Sequence, residues 1–158
     1  MKLYFLRHAA ALDGPDDNVR PLSPLGQKQA RKLARFLRRA EMEFDAAFSS
    51  PLKRARQTAE IVLRITNEAH PVKLEFADAL LNTTPQAEFD RWLTQLPTAR
   101  HVLLVGHEPS ISQRVRQLVG VANPASLEFP KGALACVETG HGPGGELKIF
   151  VSPKSLGV

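Results

Sequence analysis

The sequence is poor in several features that would each point to a particular chemistry. It has one cysteine, Cys136, so no internal disulfide and no cysteine-based metal cluster can form. No apolar stretch approaches the roughly 20 residues that span a bilayer. The start, MKLYFLRH, is too soon interrupted by charge to read as a secretory signal. There is no aromatic-interleaved basic strand, no nucleic-acid-binding motif, no internal repeat, no low-complexity tract and no linker. The simplest expectation is a cytoplasmic, monomeric protein without nucleic-acid or membrane partners. Its 158 residues form one domain, 1–158, with a single core.

Acidic residues are also in the minority. The formal net charge is +5, from 21 Lys and Arg against 16 Asp and Glu. That balance suits an anionic small molecule, an acidic protein or a nucleic acid. Ten of the 21 cations fall in 28–39 and 53–64, however, where both segments have the spacing of amphipathic helices. Most of these side chains are read as the solvated face of a helix.

What is present is an alternation of short apolar runs and helical patterns. Strands are predicted at 2–7, 45–50, 72–76 and 101–106, the last (HVLLVG) being the most strand-like run in the chain. Ser23-Pro24, Ser50-Pro51 and Thr84-Pro85 each read as a cap followed by a first-turn proline, opening three helices. The third would bury Phe89, Trp92, Leu93 and Leu96, and a fourth helix is expected from about Ser110 to Leu118. GALACVET and ELKIFVS flank GHGPGG as an antiparallel hairpin, placing His141 in its turn and Cys136 in the core. The order predicts an α/β fold, a three-layer sandwich with a mainly parallel sheet, helices on both faces and a C-terminal antiparallel hairpin.

In such a sheet ligands bind beyond the carboxyl ends of the strands. Arg7 and His8 follow the first strand, His107 follows the fourth, and Arg54 lies in the first helical turn after the second. Two imidazoles, two guanidinium groups and a helix N-terminus suit a phosphate. They do not suit a metal ion: a catalytic zinc needs a third ligand, and the arginines repel a cation.

These residues carry a family resemblance. LRHA, SSPLKRARQT and VGHEP, in this order at strand ends, resemble the histidine phosphatase superfamily, the phosphoglycerate mutase-like fold. The small size, VRPLSPLG (19–26) and VGHEP resemble its short branch of SixA-type phosphohistidine phosphatases. The resemblance implies that His8 is a nucleophile forming a phosphohistidine. It implies that Arg7 and Arg54 hold the phosphoryl oxygens, that His107 steadies their charge, and that Arg20 is a further phosphate-binding arginine. No cofactor is implied. The family usually has Gly where this chain has Ala9, which fits if φ there is negative.

Releasing an alkoxide calls for a general acid. Larger family members carry one after the third strand; here that region is the short FADALLNTTPQAEF, with Asp78 and Glu88 as candidates outside any recognisable match. A phosphohistidine needs no such acid, because its other ring nitrogen is protonated near pH ~6.5. The expected partner is therefore a phosphohistidine-bearing protein of a phosphorelay or phosphocarrier. The alternatives are a small-molecule phosphomonoesterase using Asp78 or Glu88, and a non-catalytic phosphate-binding module.

Overall fold

The computed structural model describes residues 1–140 and 142–158, so His141, expected in the hairpin turn, lies outside the described residues. The elements run β1 (Lys2–Arg7), α1 (Pro24–Arg39), β2 (Ala46–Ser49), α2 (Lys53–Thr66), β3 (Leu74–Phe76), α3 (Gln86–Thr94), β4 (His101–Gly106), α4 (Ser110–Val119), β5 (Leu134–Thr139) and β6 (Gly145–Val151). They form one sheet of order β3-β2-β4-β1-β5-β6. The first four strands pair in parallel and the last two add antiparallel.

Strand periodicity explains why β1 and β4 read as unbroken apolar runs. Successive side chains point to opposite faces, and both faces are covered. Tyr4, Leu6, Leu103 and Val105 pack with Leu33 and Leu37 of α1 and Ala59 and Val62 of α2. Leu3, Phe5, Val102 and Leu104 pack on the other side with Phe89 of α3 and Ile111 and Val115 of α4. The structure is thus the expected mixed α/β sandwich. Cys136 is buried in the first cluster, and Trp92, Leu93 and Leu96 pack as partly buried groups against the second.

The three predicted helix starts fared differently. Ser23 caps α1, its hydroxyl accepting from the Gly26 N–H, with Pro24 in the first turn. α2 begins only at Lys53, with no side-chain cap at Leu52, because the Ser50 hydroxyl is engaged elsewhere. α3 begins at Gln86, and the Thr84 hydroxyl donates to the Asp78 carbonyl instead of capping it. One glycine positions the functional edge. A Cβ on Gly26 would lie 1.8 Å from the Ala10 carbonyl oxygen, so α1 rests backbone to backbone on the segment just past His8.

Candidate active site

Register brings the two histidines together. β1 and β4 are neighbours with Arg7 opposite Gly106, so His8 and His107 leave the sheet side by side. The His8 N–H donates to the Gly106 carbonyl at 3.0 Å, and the two rings lie 5.1 Å apart between centroids. β2 flanks β4 on its other side with Ser49 opposite Val105, which places Ser50 beside them. Both imidazoles are buried, at 7% exposure for His8 and 3% for His107.

Hydrogen bonds differentiate the rings. His8 Nδ1 is 2.8 Å from the Ala9 carbonyl oxygen, which can only accept, so Nδ1 carries the hydrogen. Nε2 is left with its lone pair, and Arg54 Nε approaches it at 3.4 Å. His107 Nε2 pairs with the Ser50 hydroxyl at 2.6 Å. Ser50 Oγ also accepts from the Leu52 N–H and keeps a second lone pair, so its contact with His107 Nε2 suits either tautomer of that ring. His107 Nδ1 is buried without a protein partner among the described residues. Burial depresses both rings; Arg54 and Arg7 add to it for His8, and the His8 ring and Arg54 for His107. His8 is pushed down to about 4 and His107 to about 3, so both are neutral at pH 7.

Two guanidinium groups, those of Arg7 and Arg54, lie close enough to act on both imidazoles electrostatically. Arg7 Nη1 donates to the Phe129 carbonyl at 2.7 Å, while its Nε is buried without a partner among the described residues. Burial lowers the Arg7 pKa, against the pull of Glu108 and Glu128. Arg54 is 7% exposed; its Nη1 donates to the Asp17 carbonyl at 2.7 Å and its Nη2 to the Asp17 carboxylate at 3.1 Å. Thr58, one turn along α2, accepts from the Ala9 N–H and donates to the Arg54 carbonyl, tying α2 to the nucleophile segment. Ala9 is not among the residues with positive φ, which accounts for alanine fitting where the family usually has glycine.

Arg20 is placed differently from the other candidates. Its Nε donates to the Leu12 carbonyl and its Nη1 to the Asp17 carboxylate at 2.9 Å, with Asp13 at 3.8 Å. It meets the cluster through Asp17, which Arg54 also binds, and not through either imidazole. The hydrogen bond from Arg20, with the one from Arg54, holds the Asp17 carboxyl below the usual carboxylate range. The sequence alone assigns nothing to Asp17, Ser50 or Thr58 at the site. Ser50 is disguised by the proline after it, although its place just past β2, at the same edge as His8 and His107, is an available signal. Asp17 sits in a polar loop with no periodicity to point at it.

The cleft over this cluster measures about 490 Å³ and is lined by Asp17, Asn18, Pro51, Leu52, Arg54, Leu81, Asn82, Thr83 and His107. Of the candidates, Arg54 and His107 are among its lining residues, whereas Arg7, His8, Arg20, Asp78 and Glu88 are not. Among the described residues no three His, Cys, Asp or Glu side chains gather as a metal-binding group. No helix among them is long and apolar enough to cross a membrane. Chemically, the arrangement offers an unprotonated Nε2 beside permanent positive charge and two buried groups, Arg7 Nε and His107 Nδ1, lacking a hydrogen-bond partner among the described residues.

Comparison with known proteins gives this geometry a context. A family model described as "Histidine phosphatase superfamily (branch 1)" matches residues 3–81. An uncharacterized protein of Picosynechococcus sp. is 30% identical over 99% of both chains. Phosphohistidine phosphatase SixA of Escherichia coli (strain K12) is 28% identical, over 99% of this chain and 96% of its own. The structure of a protein histidine phosphatase SixA complexed with tungstate superimposes with a TM-score of 0.88, at 28% identity and 99% coverage of both chains.

Proposed function

Because the chain belongs to the histidine phosphatase superfamily (branch 1), we propose that this phosphatase hydrolyses a protein-borne phosphohistidine through a phosphorylated His8, without a metal ion. The observation that carries the reading is the lone-pair Nε2 of His8 in contact with Arg54, together with a buried, unpartnered Nε donor on Arg7. A buried donor without a partner costs about 1–3 kcal/mol, and a phosphoryl oxygen relieves that cost. The similar SixA structure is complexed with tungstate, a tetrahedral oxyanion, which supports an oxyanion ligand for this fold.

The chemistry then runs in two steps. His8 Nε2 attacks phosphorus in line, forming an N–P bond as the substrate's P–N bond breaks. The electron pair stays on the departing nitrogen, which leaves as neutral imidazole because its other nitrogen holds a proton. The Ala9 carbonyl keeps the Nδ1 hydrogen on the phosphorylated His8 ring. Water next attacks phosphorus, the pair returns to Nε2, and inorganic phosphate departs with the water's proton passing to solvent. Arg7, Arg54 and His107 stabilise charge on the transferring group, which is where most of the catalysis of phosphoryl transfer lies. Arg20 contributes through Asp17. Residues 1–158 act as one domain in the cytoplasm.

A cleft lined by neither Asp78 nor Glu88 favours phosphohistidine over alkyl phosphates, since histidine-to-histidine transfer is nearly balanced and the leaving group brings its own proton. The test uses a histidine-phosphorylated protein labelled on phosphorus. Wild type releases the label in the presence of EDTA and His8→Ala does not. Label retained with wild type, or released equally by the variant, sinks the proposal.

A further inference from the structure

Asp17 is the one carboxylate lining the cleft among the described residues, and neither the mechanism above nor the family resemblance gives it a chemical task. Its side chain is 61% exposed although two arginines grip it. Arg20 Nη1 takes Oδ1 and Arg54 Nη2 takes Oδ2, one hydrogen bond to each oxygen. A carboxylate has about four acceptor sites, so each oxygen retains a free one. The carboxylate is thus fixed in place, ionised and open to solvent at the mouth of the site. Placing an anion where a phosphoryl group must enter works against binding unless the anion meets something cationic on the same substrate.

We propose that Asp17 is a specificity-determining residue that accepts a hydrogen bond from the protonated ring nitrogen of the substrate's phosphohistidine. The inference rests on the phosphohistidine reading of the site. A phosphohistidine ready to react is an imidazolium carrying an anionic phosphoryl group. In the proposed mechanism Arg7, Arg54 and His107 take the phosphoryl oxygens, which leaves Asp17, on the lining of the cleft, for the ring. Pro51, Leu52 and Leu81 provide apolar surface for the ring, and the opposite wall, Asn82 and Thr83, is uncharged.

The arrangement mirrors His8, where the Ala9 carbonyl retains the hydrogen on the non-reacting nitrogen. Each ring in the transfer then has an oxygen acceptor holding its proton while the phosphoryl group moves between the two reacting nitrogens. No proton leaves Asp17 in this step. The substrate's P–N bond breaks with its electron pair remaining on the ring, and the ring's existing N–H makes it neutral. For an alkyl or aryl phosphate the same carboxylate is a disadvantage. It stands ionised, its carboxyl held low by Arg20 and Arg54, and so has no proton for a leaving oxygen. The charged groups around it are Arg20 and Asp13 on its own loop and Arg54 from α2; His107 after β4 faces it as a neutral ring.

The test compares Asp17→Asn with wild type on free phosphohistidine and on p-nitrophenyl phosphate. Asn keeps an oxygen for one arginine but carries no charge. The expected result is a fall in the phosphohistidine-to-aryl ratio of kcat by about tenfold or more, the scale of one charge-assisted hydrogen bond. The alkaline limb of kcat on phosphohistidine, which reports the enzyme–substrate complex, moves to lower pH. Asp17→Glu, which keeps the charge, restores part of the ratio. An equal loss on both substrates with an unmoved limb would mean that Asp17 only positions Arg54; it overturns this inference and leaves the phosphohistidine reading standing. Wild type that turns over the aryl ester and not phosphohistidine overturns both.

Discussion

The cleft has two walls, each depending on an arginine that is used in a different way. Along residues 13–20 the wall is charged and exposed, with Asp17 bound between Arg20 and Arg54, and Arg54 reaching on to His8. Along 81–84 the wall is neutral, and the charge that holds it is behind it. Arg114, 2% exposed, stacks over the Phe89 ring at 4.3 Å and donates to the Leu81 carbonyl at 3.1 Å. Asn82 completes the anchor, donating to the Glu108 carbonyl and accepting from the N–H and hydroxyl of Ser110. In the proposed mechanism the first arginine lies at the reaction, whereas the second anchors a loop. Burial pushes Arg114 down to about 10, yet it remains a cation at pH 7. Residue type alone therefore does not tell a reacting arginine from a structural one; the acceptor does. Both donate to a backbone carbonyl, Arg54 to that of Asp17 and Arg114 to that of Leu81, but Arg54 alone adds an imidazole nitrogen and an exposed carboxylate at the cleft.

Breaking each wall should separate chemistry from stability. The largest effect is expected from Arg54→Ala, which removes the link between the charged wall and His8. Turnover should fall by about 10²–10³-fold, the cost of losing one charge-stabilising donor, while the thermal midpoint changes little. A large loss of stability without loss of turnover per folded molecule would reverse the assignment. Arg114→Met is the opposite case. It removes one of the two donors to the Leu81 carbonyl, leaving the Thr84 N–H at 3.3 Å, and should lower unfolding free energy by about 1–3 kcal/mol in urea titration. Its turnover per folded molecule should stay within a few-fold. The smallest effect is expected at the junction of the walls, where Ser50→Ala leaves His107 Nε2 without its hydroxyl partner. A kcat decrease of roughly tenfold, near the value of one buried hydrogen bond, would fit; a decrease equal to that of Arg54→Ala would require a direct role for the hydroxyl.

Much of this architecture is legible in the sequence because periodicity and strand ends are local signals. LYFL and HVLLVG announce strands buried on both faces, and in a parallel sheet the residues just past such strands gather at one edge. That logic brings His8, Arg54 and His107 together from the sequence alone. It fails where a local pattern has two uses. Ser50-Pro51 has the form of a helix cap like Ser23-Pro24, but tertiary context directs the Ser50 hydroxyl to a histidine 57 residues away. Asp17 and Arg114 are illegible for a different reason. Each acts through partners brought close by folding, the Arg54 fork for one and a loop carbonyl for the other, and neither leaves a spacing to read. Arg20 falls between the two: its motif is visible, but its place one step removed from the imidazoles is not.

The measurement that tests the central claim most directly is to trap the phosphoenzyme. Wild type would be mixed with a phosphorus-labelled, histidine-phosphorylated protein, quenched in alkali within milliseconds, and the label located by mass spectrometry. The account predicts a transient, acid-labile phosphoryl group on Nε2 of His8 that decays as inorganic phosphate appears. Label on His107, or phosphate release with no phosphoenzyme at any time, would contradict it.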